Sequence, residues 1–188
     1  MRRLHIANGN RKLAKDIAVF SLPRGITCPG KTEWCVRHCY AQKAERYAGP
    51  ALARANNYAV SQSSEFGALV DAWLLLERPK LFRIHEGGDF YSQEYLDKWI
   101  GIATRSPSTK FLAMSKSFGL DYSLVPSNMN ILWSVVPDTN CWTVPAGPRA
   151  YAGNCAGKEK TMECRGKCGP CKACWHLRDG MAVHFKQH

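Results

Sequence analysis

The sequence predicts an α/β fold built on a parallel sheet, and three observations carry that reading. Short apolar runs alternate with amphipathic helical periods in the order strand, helices, strand, helix, strand, loop, strand, as parallel sheets require. Polar and glycine-rich residues gather where the strands should end, which is where such folds bind ligands. With 188 residues, 45% of them hydrophobic and 11% aromatic, the chain can bury a real core as one compact domain with a small appendage.

The first strand is "DIAVFSLP" (16–23), closed by Pro23 and Gly25. A cysteine loop follows. From Val36 the positions Tyr40, Ala41, Ala44, Tyr47 and Ala48 keep helical spacing, and "GP" at 49–50 stops that helix. Pro50 then opens a second helix, "ALARANNYAVSQ". Phe66, Leu69, Val70, Trp73 and Leu74 define a third, capped by Ser63 or Ser64 and ended by Pro79. "LFRIHE" (81–86) is the next strand, followed by the turn "GGDF". Ser92 caps a helix carrying Tyr95, Leu96, Trp99, Ile100 and Ala103, and "KFLAMS" (110–115) and "NILWSVV" (130–136) are two further strands. Beyond "WTVPAGPRAYAGNC" regular structure should give way to loops. The expected division is therefore an α/β core over 1–150 and a cysteine-rich segment over 151–188.

No apolar run approaches the roughly 20 residues of a membrane span; the longest is "AWLLL". The N-terminus is basic but has no apolar stretch behind it, so it does not read as a secretory signal. A cytoplasmic protein is expected, with no membrane partner. In that reducing setting nine cysteines point to metal or redox chemistry rather than disulfides. Three lie at 28–39 and five at 155–174, with Cys141 between, whereas core packing would have scattered them. The formal charge of +11 divides the same way: +7 over residues 1–48, zero over 49–154 and +4 over 155–188. A nucleic-acid partner explains that excess, and so does the offsetting of anionic thiolate centres.

The expected strand ends carry His85, Glu86, Gly87, Gly88 and Asp89, then Ser115, Lys116 and Ser117, then Ser134 and Asp138. Together with the first cysteine loop they should surround one pocket. His85 and Glu86 are the candidate catalytic residues there, because histidine titrates near neutrality and suits proton transfer. Cys28-x6-Cys35-x3-Cys39 is more compact than the paired knuckles of structural zinc sites. It suits a [4Fe–4S] cluster with one open iron, although thiolate ligands alone also fit zinc. "CRGKCGPCKACW" packs Cys164, Cys168, Cys171 and Cys174 into eleven residues, the manner of a loop wrapped round one cluster, and zinc again remains open. Cys155, Cys168, Cys171 and Cys174 are taken as ligands, with Cys164 as the alternative fourth. Cys141 is expected to be a packed thiol.

"CPGKTEWCVRHCYA", "HEGGDFYSQEYLDKW", "FLAMSKS", "ILWSVVPD" and "CGPCKACW", in that order, resemble the small phage and plasmid proteins of the gene-product-eighty-eight type. More remotely, the layout resembles a shortened radical S-adenosylmethionine protein, a partial (β/α) barrel of parallel strands. That resemblance implies a [4Fe–4S] cluster on Cys28, Cys35 and Cys39, with a second one possible at the C-terminal group, and an electron donor if the protein is a radical enzyme. Gly87, Gly88 and Asp89 would receive the amino group of S-adenosylmethionine, Lys116 or Ser115 its carboxylate, and Ser134 its ribose. The competing expectation is a non-catalytic module in which both cysteine groups staple around one cluster or zinc. In either case Arg37, Tyr40, Lys43 and Arg46 are candidate nucleic-acid contacts, since single strands stack on aromatics set among basic side chains. A phage-encoded protein would work in the host cytoplasm.

Overall fold

A computed structural model describes residues 3–10 and 12–186 and arranges them around one eight-stranded sheet. The chain forms β1 (Ile6–Asn8) and β2 (Ile17–Phe20), then α1 (Glu33–Arg37), α2 (Ala41–Glu45), α3 (Ala48–Ser61) and α4 (Phe66–Glu77). Next come β3 (Leu81–Ile84), α5 (Gln93–Arg105), β4 (Lys110–Ser115) and β5 (Met129–Val135). The remaining elements are β6 (Arg149–Ala152), β7 (Lys160–Glu163), the short α6 (Cys168–Cys171) and β8 (Met181–Phe185). The strand order is β1-β2-β3-β4-β5-β6-β8-β7. β1 pairs antiparallel with β2, and every other neighbouring pair is parallel. From β2 to β6 the order in space follows the order in sequence, as in a β/α barrel and unlike a doubly wound sheet. Among the described residues β1 and β7 remain separate edges.

Parallel strands read as unbroken apolar runs because both faces are covered, and here two different layers cover them. Ala18, Phe20, Phe82, Ile84, Phe111, Ala113, Ile131 and Trp133 pack against Val60, Phe66, Val70, Leu74, Leu96 and Trp99 of the helices. The alternate residues Ile17, Val19, Leu81, Leu112, Leu132, Ala150 and Val183 face the other way. They meet Leu13, Trp175 and Leu177, so the second cover comes from the C-terminal chain itself. Trp175 is 5% exposed and donates its indole N–H to the Phe82 carbonyl at 3.4 Å. Asn130 holds the same stretch by donating to the carbonyls of Cys174 and Leu177.

That arrangement corrects the expectation of a loop-rich appendage. β6 crosses the anticipated boundary at 150, and β7 and β8 extend the same sheet. The helices differ in detail. The helix expected from Val36 is two short pieces, α1 and α2, broken at residues 38–40. Thr32 caps α1 by accepting from the Cys35 N–H at 3.1 Å. Pro50 lies in the first turn of α3, where its missing N–H costs nothing. Neither expected serine caps α4: Glu65 stands at its N-cap without a side-chain bond, and Ser63 instead donates to the Val60 carbonyl. Ser92 does cap α5, accepting from the Tyr95 N–H at 3.2 Å.

Replacing Trp175 should behave as a large core truncation although it lies among the loops. Trp175→Ala is expected to cost about 3–5 kcal/mol in urea unfolding. The same change at Trp142, which is 97% exposed, should stay within about 0.5 kcal/mol of the parent.

Candidate functional site: the strand ends and two cysteine groups

The loops after β2, β3, β4 and β5 converge, and Asp89 holds them. Its Oδ1 accepts from the Phe90 N–H and the Ser115 hydroxyl at 2.7 Å each, and its Oδ2 accepts from the Lys116 N–H at 2.7 Å. Burial pushes this carboxyl up, and those hydrogen bonds pull it back. The Asp89 N–H in turn donates to the Thr27 carbonyl at 3.0 Å, which ties the cysteine loop to β3. Gly88 makes the approach possible. It sits at φ +86°, and a Cβ there would fall 2.5 Å from Leu22 Cβ and 2.7 Å from Thr27 Oγ1. Gly30 is packed as tightly, since its Cβ would come 2.1 Å from the Lys116 carbonyl oxygen. Lys116 donates from Nζ to Ser134 Oγ at 2.7 Å, which joins the ends of β4 and β5. The Gly87, Gly88, Asp89, Ser115, Lys116 and Ser134 proposed from sequence therefore do come together, and most of their polar atoms bond one another.

Around this frame the thiol loop is held at both ends. The Trp34 N–H donates to Asp138 Oδ2 at 2.7 Å, and the Tyr40 hydroxyl donates to the Glu86 carbonyl. Cys28, Cys35 and Cys39 are half-buried free thiols. Burial pushes the Cys28 thiol up to about 11, and the charges of Asp89, Cys35 and Cys39 act on it in the same direction. Cys35 and Cys39 thus both lie within electrostatic reach of Cys28.

The two residues expected to be catalytic are placed differently. His85 is 2% exposed among Phe20, Phe90 and Tyr95 on the helix side of the sheet. Its Nε2 meets the Tyr95 hydroxyl at 2.8 Å, and burial followed by the Arg83 charge pushes it down to about 3. It is a neutral core histidine at φ +63°. Glu86 is half-exposed, accepts from Asn10 Nδ2 at 2.6 Å and lies 3.9 Å from the Arg54 guanidinium. His85 is thus buried in the core, whereas Glu86 lies beside the thiol loop through its carbonyl contact with Tyr40.

The C-terminal cysteines sort themselves. Cys164, Cys168, Cys171 and Cys174 line one small cavity beneath β3, β4 and β8, with Arg83 in its wall. Cys155, taken as a ligand with Cys164 as its alternative, instead lines a separate groove of about 520 Å³ with Cys141. Cys164 takes the place given to Cys155, and the reason is topological: β7 intervenes between Cys155 and the rest. Cys141, expected to be packed, is exposed. Arg83 was overlooked in sequence, although a charged residue inside the apolar run "LFRI" was the signal. Among the described residues no group of three or more His, Cys, Asp or Glu side chains stands in metal-holding geometry.

Arg37, Tyr40, Lys43 and Arg46 are all exposed on α1, the turn after it, α2 and its C-cap. Arg37 is paired with Glu33 at 2.9 Å, and Tyr47 adds a ring that is 70% exposed. Among the described residues no helix is long and apolar enough to cross a membrane.

A family profile described as "Gene product 88" matches residues 3–147. The "Gene 88 protein" of Mycobacterium phage L5 is 27% identical over 130 residues, covering 60% of this chain and 53% of that protein. Its namesake from Mycobacterium phage D29 is 26% identical over 155 residues, covering 72% of this chain and 63% of that one. The matched stretch spans between about half and under two thirds of the length of these curated relatives. No solved structure matches, so the radical S-adenosylmethionine likeness has no support from that side.

The burial of His85 sets a pH dependence. Its folded value of about 3 lies below the ordinary 6.5, so the unfolded chain binds the extra proton. Stability is full above about pH 6.5 and falls as the pH drops towards 3, at up to about 1.4 kcal/mol per pH unit. Asparagine tolerates the left-handed backbone there. His85→Asn should therefore flatten this slope between about pH 6.5 and 4.5, measured by urea unfolding of both proteins at each pH.

Proposed function

The chain belongs to the gene product 88 family, and from that premise we propose that it is an iron–sulfur protein holding one [4Fe–4S] cluster on Cys28, Cys35 and Cys39. The observation that carries this reading is a thiol loop made rigid before any metal arrives. Gly30 rests on the Lys116 carbonyl, Thr27 accepts from Asp89, Thr32 caps the turn bearing Cys35, and Tyr40 ties the residue after Cys39 to Glu86. Three free, half-buried thiols on such a loop fit the donor set of a cluster with one iron left without a protein ligand. Bound there, the cluster would supply one-electron chemistry and a coordination place for a small ligand.

The protein's own part is positioning. Trp34 stacks on His38 at 4.4 Å and packs against Gly153, which sets aromatic surface beside the loop. S-adenosylmethionine fits less well as that ligand. Asp89 already accepts three hydrogen bonds, and Lys116 Nζ is engaged by Ser134, so the groups implied for its amino, carboxylate and ribose parts are largely committed. A single-stranded nucleic acid is the second reading. It rests on exposed Arg37, Lys43, Arg46, Tyr40 and Tyr47 beside the thiol loop, with the phage setting of the relatives as context.

Anaerobically purified protein should contain about four iron and four sulfide per chain, the content of one such cluster. Combined Cys28→Ser, Cys35→Ser and Cys39→Ser substitution should abolish both. Colourless protein without iron after anaerobic reconstitution would overturn the reading. If nucleic acid is the partner, binding of a labelled single strand should weaken steeply with added salt, with a smaller slope for Lys43→Ala combined with Arg46→Ala.

A further inference from the structure

The second cysteine group makes its own case, independent of the thiol loop. We propose that Cys164, Cys168, Cys171 and Cys174 form a tetrathiolate site for a single zinc ion, with the buried guanidinium of Arg83 as its counter-charge.

The four cysteines line one small, partly open cavity. Four thiolates with no competing donor match the tetrahedral, closed coordination of structural zinc. The backbone is arranged for it. α6 carries Cys168 and Cys171 one turn apart, and Lys172 at φ +51° reverses the chain so that Cys174 returns to the same cavity. The Gly166 N–H already donates to Cys164 Sγ at 3.4 Å, the kind of bond that stabilises a metal-bound thiolate. Closing the site requires the thiols to turn inward by side-chain rotation, since they do not stand in metal-holding geometry now.

Arg83 supplies the second, independent observation. It is 7% exposed and points from the middle of β3 into this cavity. Its Nε donates to the His85 carbonyl at 3.0 Å, yet none of the ion pairs among the described residues includes it. A buried cation without an anion is costly. Zinc bound by four thiolates carries a net charge of −2, which places the missing anion beside Arg83. Arg165 and Lys167 at the rim add to the same balance.

The test uses the full chain. Zinc should be present at one per chain, and adding Zn²⁺ to metal-free protein should release protons from the thiols. Titration with Co²⁺ as a probe should give the intense visible bands and sulfur charge-transfer absorption of a tetrahedral thiolate site. Both signals should be lost in Cys164→Ser and in Cys171→Ser, the latter at an exposed position where folding is not at risk. They should persist in Cys155→Ser and in the triple Cys28→Ser, Cys35→Ser, Cys39→Ser variant, which separates this site from the iron site. Arg83→Gln should weaken Co²⁺ binding about 10–100-fold while leaving the band positions intact. Absence of a tetrahedral thiolate spectrum in the parent protein would overturn the proposal. So would zinc retained by both the Cys164 and Cys171 variants, or iron and sulfide persisting in the triple variant.

Discussion

Asp89 carries a carboxylate out of water, and three hydrogen bonds from Phe90, Ser115 and Lys116 offset the cost of doing so. Through them it joins β3 to β4, and through its own N–H it joins both to the cysteine loop. Lys116 passes the connection on to β5 by way of Ser134. The positions of the thiols, the glycine turn and the neighbouring strand ends all follow from this one anchored group. Gly88 is required for the same reason, because any side chain there would push Leu22 and Thr27 away from it.

The sheet imposes the second constraint. Its central strands are apolar on both faces, while the helices cover only one. The C-terminal chain therefore does packing work, with Trp175 and Leu177 filling the place that a second helical layer holds in other parallel sheets. This explains why the cysteine-rich segment is bound into the domain and why Arg83, alternating with apolar neighbours on β3, emerges among its thiols. One strand thus sends His85 toward the helices and Arg83 toward the metal-ligand candidates.

Much of this was legible in the residues. The periodicity of Tyr95, Leu96, Trp99 and Ile100, and the runs "IAVF", "LFRI" and "KFLAMS", located their helix and strands closely. The glycines and Asp89 after β3 were recognisable as a turn that meets other strand ends. What escaped was non-local. "RAYA" and "MAVHF" are short, and the glycine, proline and cysteine around them spoke for loops; only partners far along the chain make them strands. His85 looked like a pocket residue because sequence places it at a strand end but does not say toward which face it turns. Cys155 and Cys164 were indistinguishable by spacing, and the strand between them puts only Cys164 in the cavity with Cys168, Cys171 and Cys174.

The place of β8 between β6 and β7 has a consequence for biosynthesis. While the chain is being made, β2 to β6 emerge with one face dry and the other bare, and the free edge of β6 has no partner. Its partner begins at Met181, after both β7 and the cysteine turn have appeared. Until β8 and the Trp175 stretch are in place, the edge of β6 has no partner and one face of the sheet is an uncovered apolar surface, features that favour misassociation. The last strand described therefore acts as the closing stitch of a core laid down much earlier.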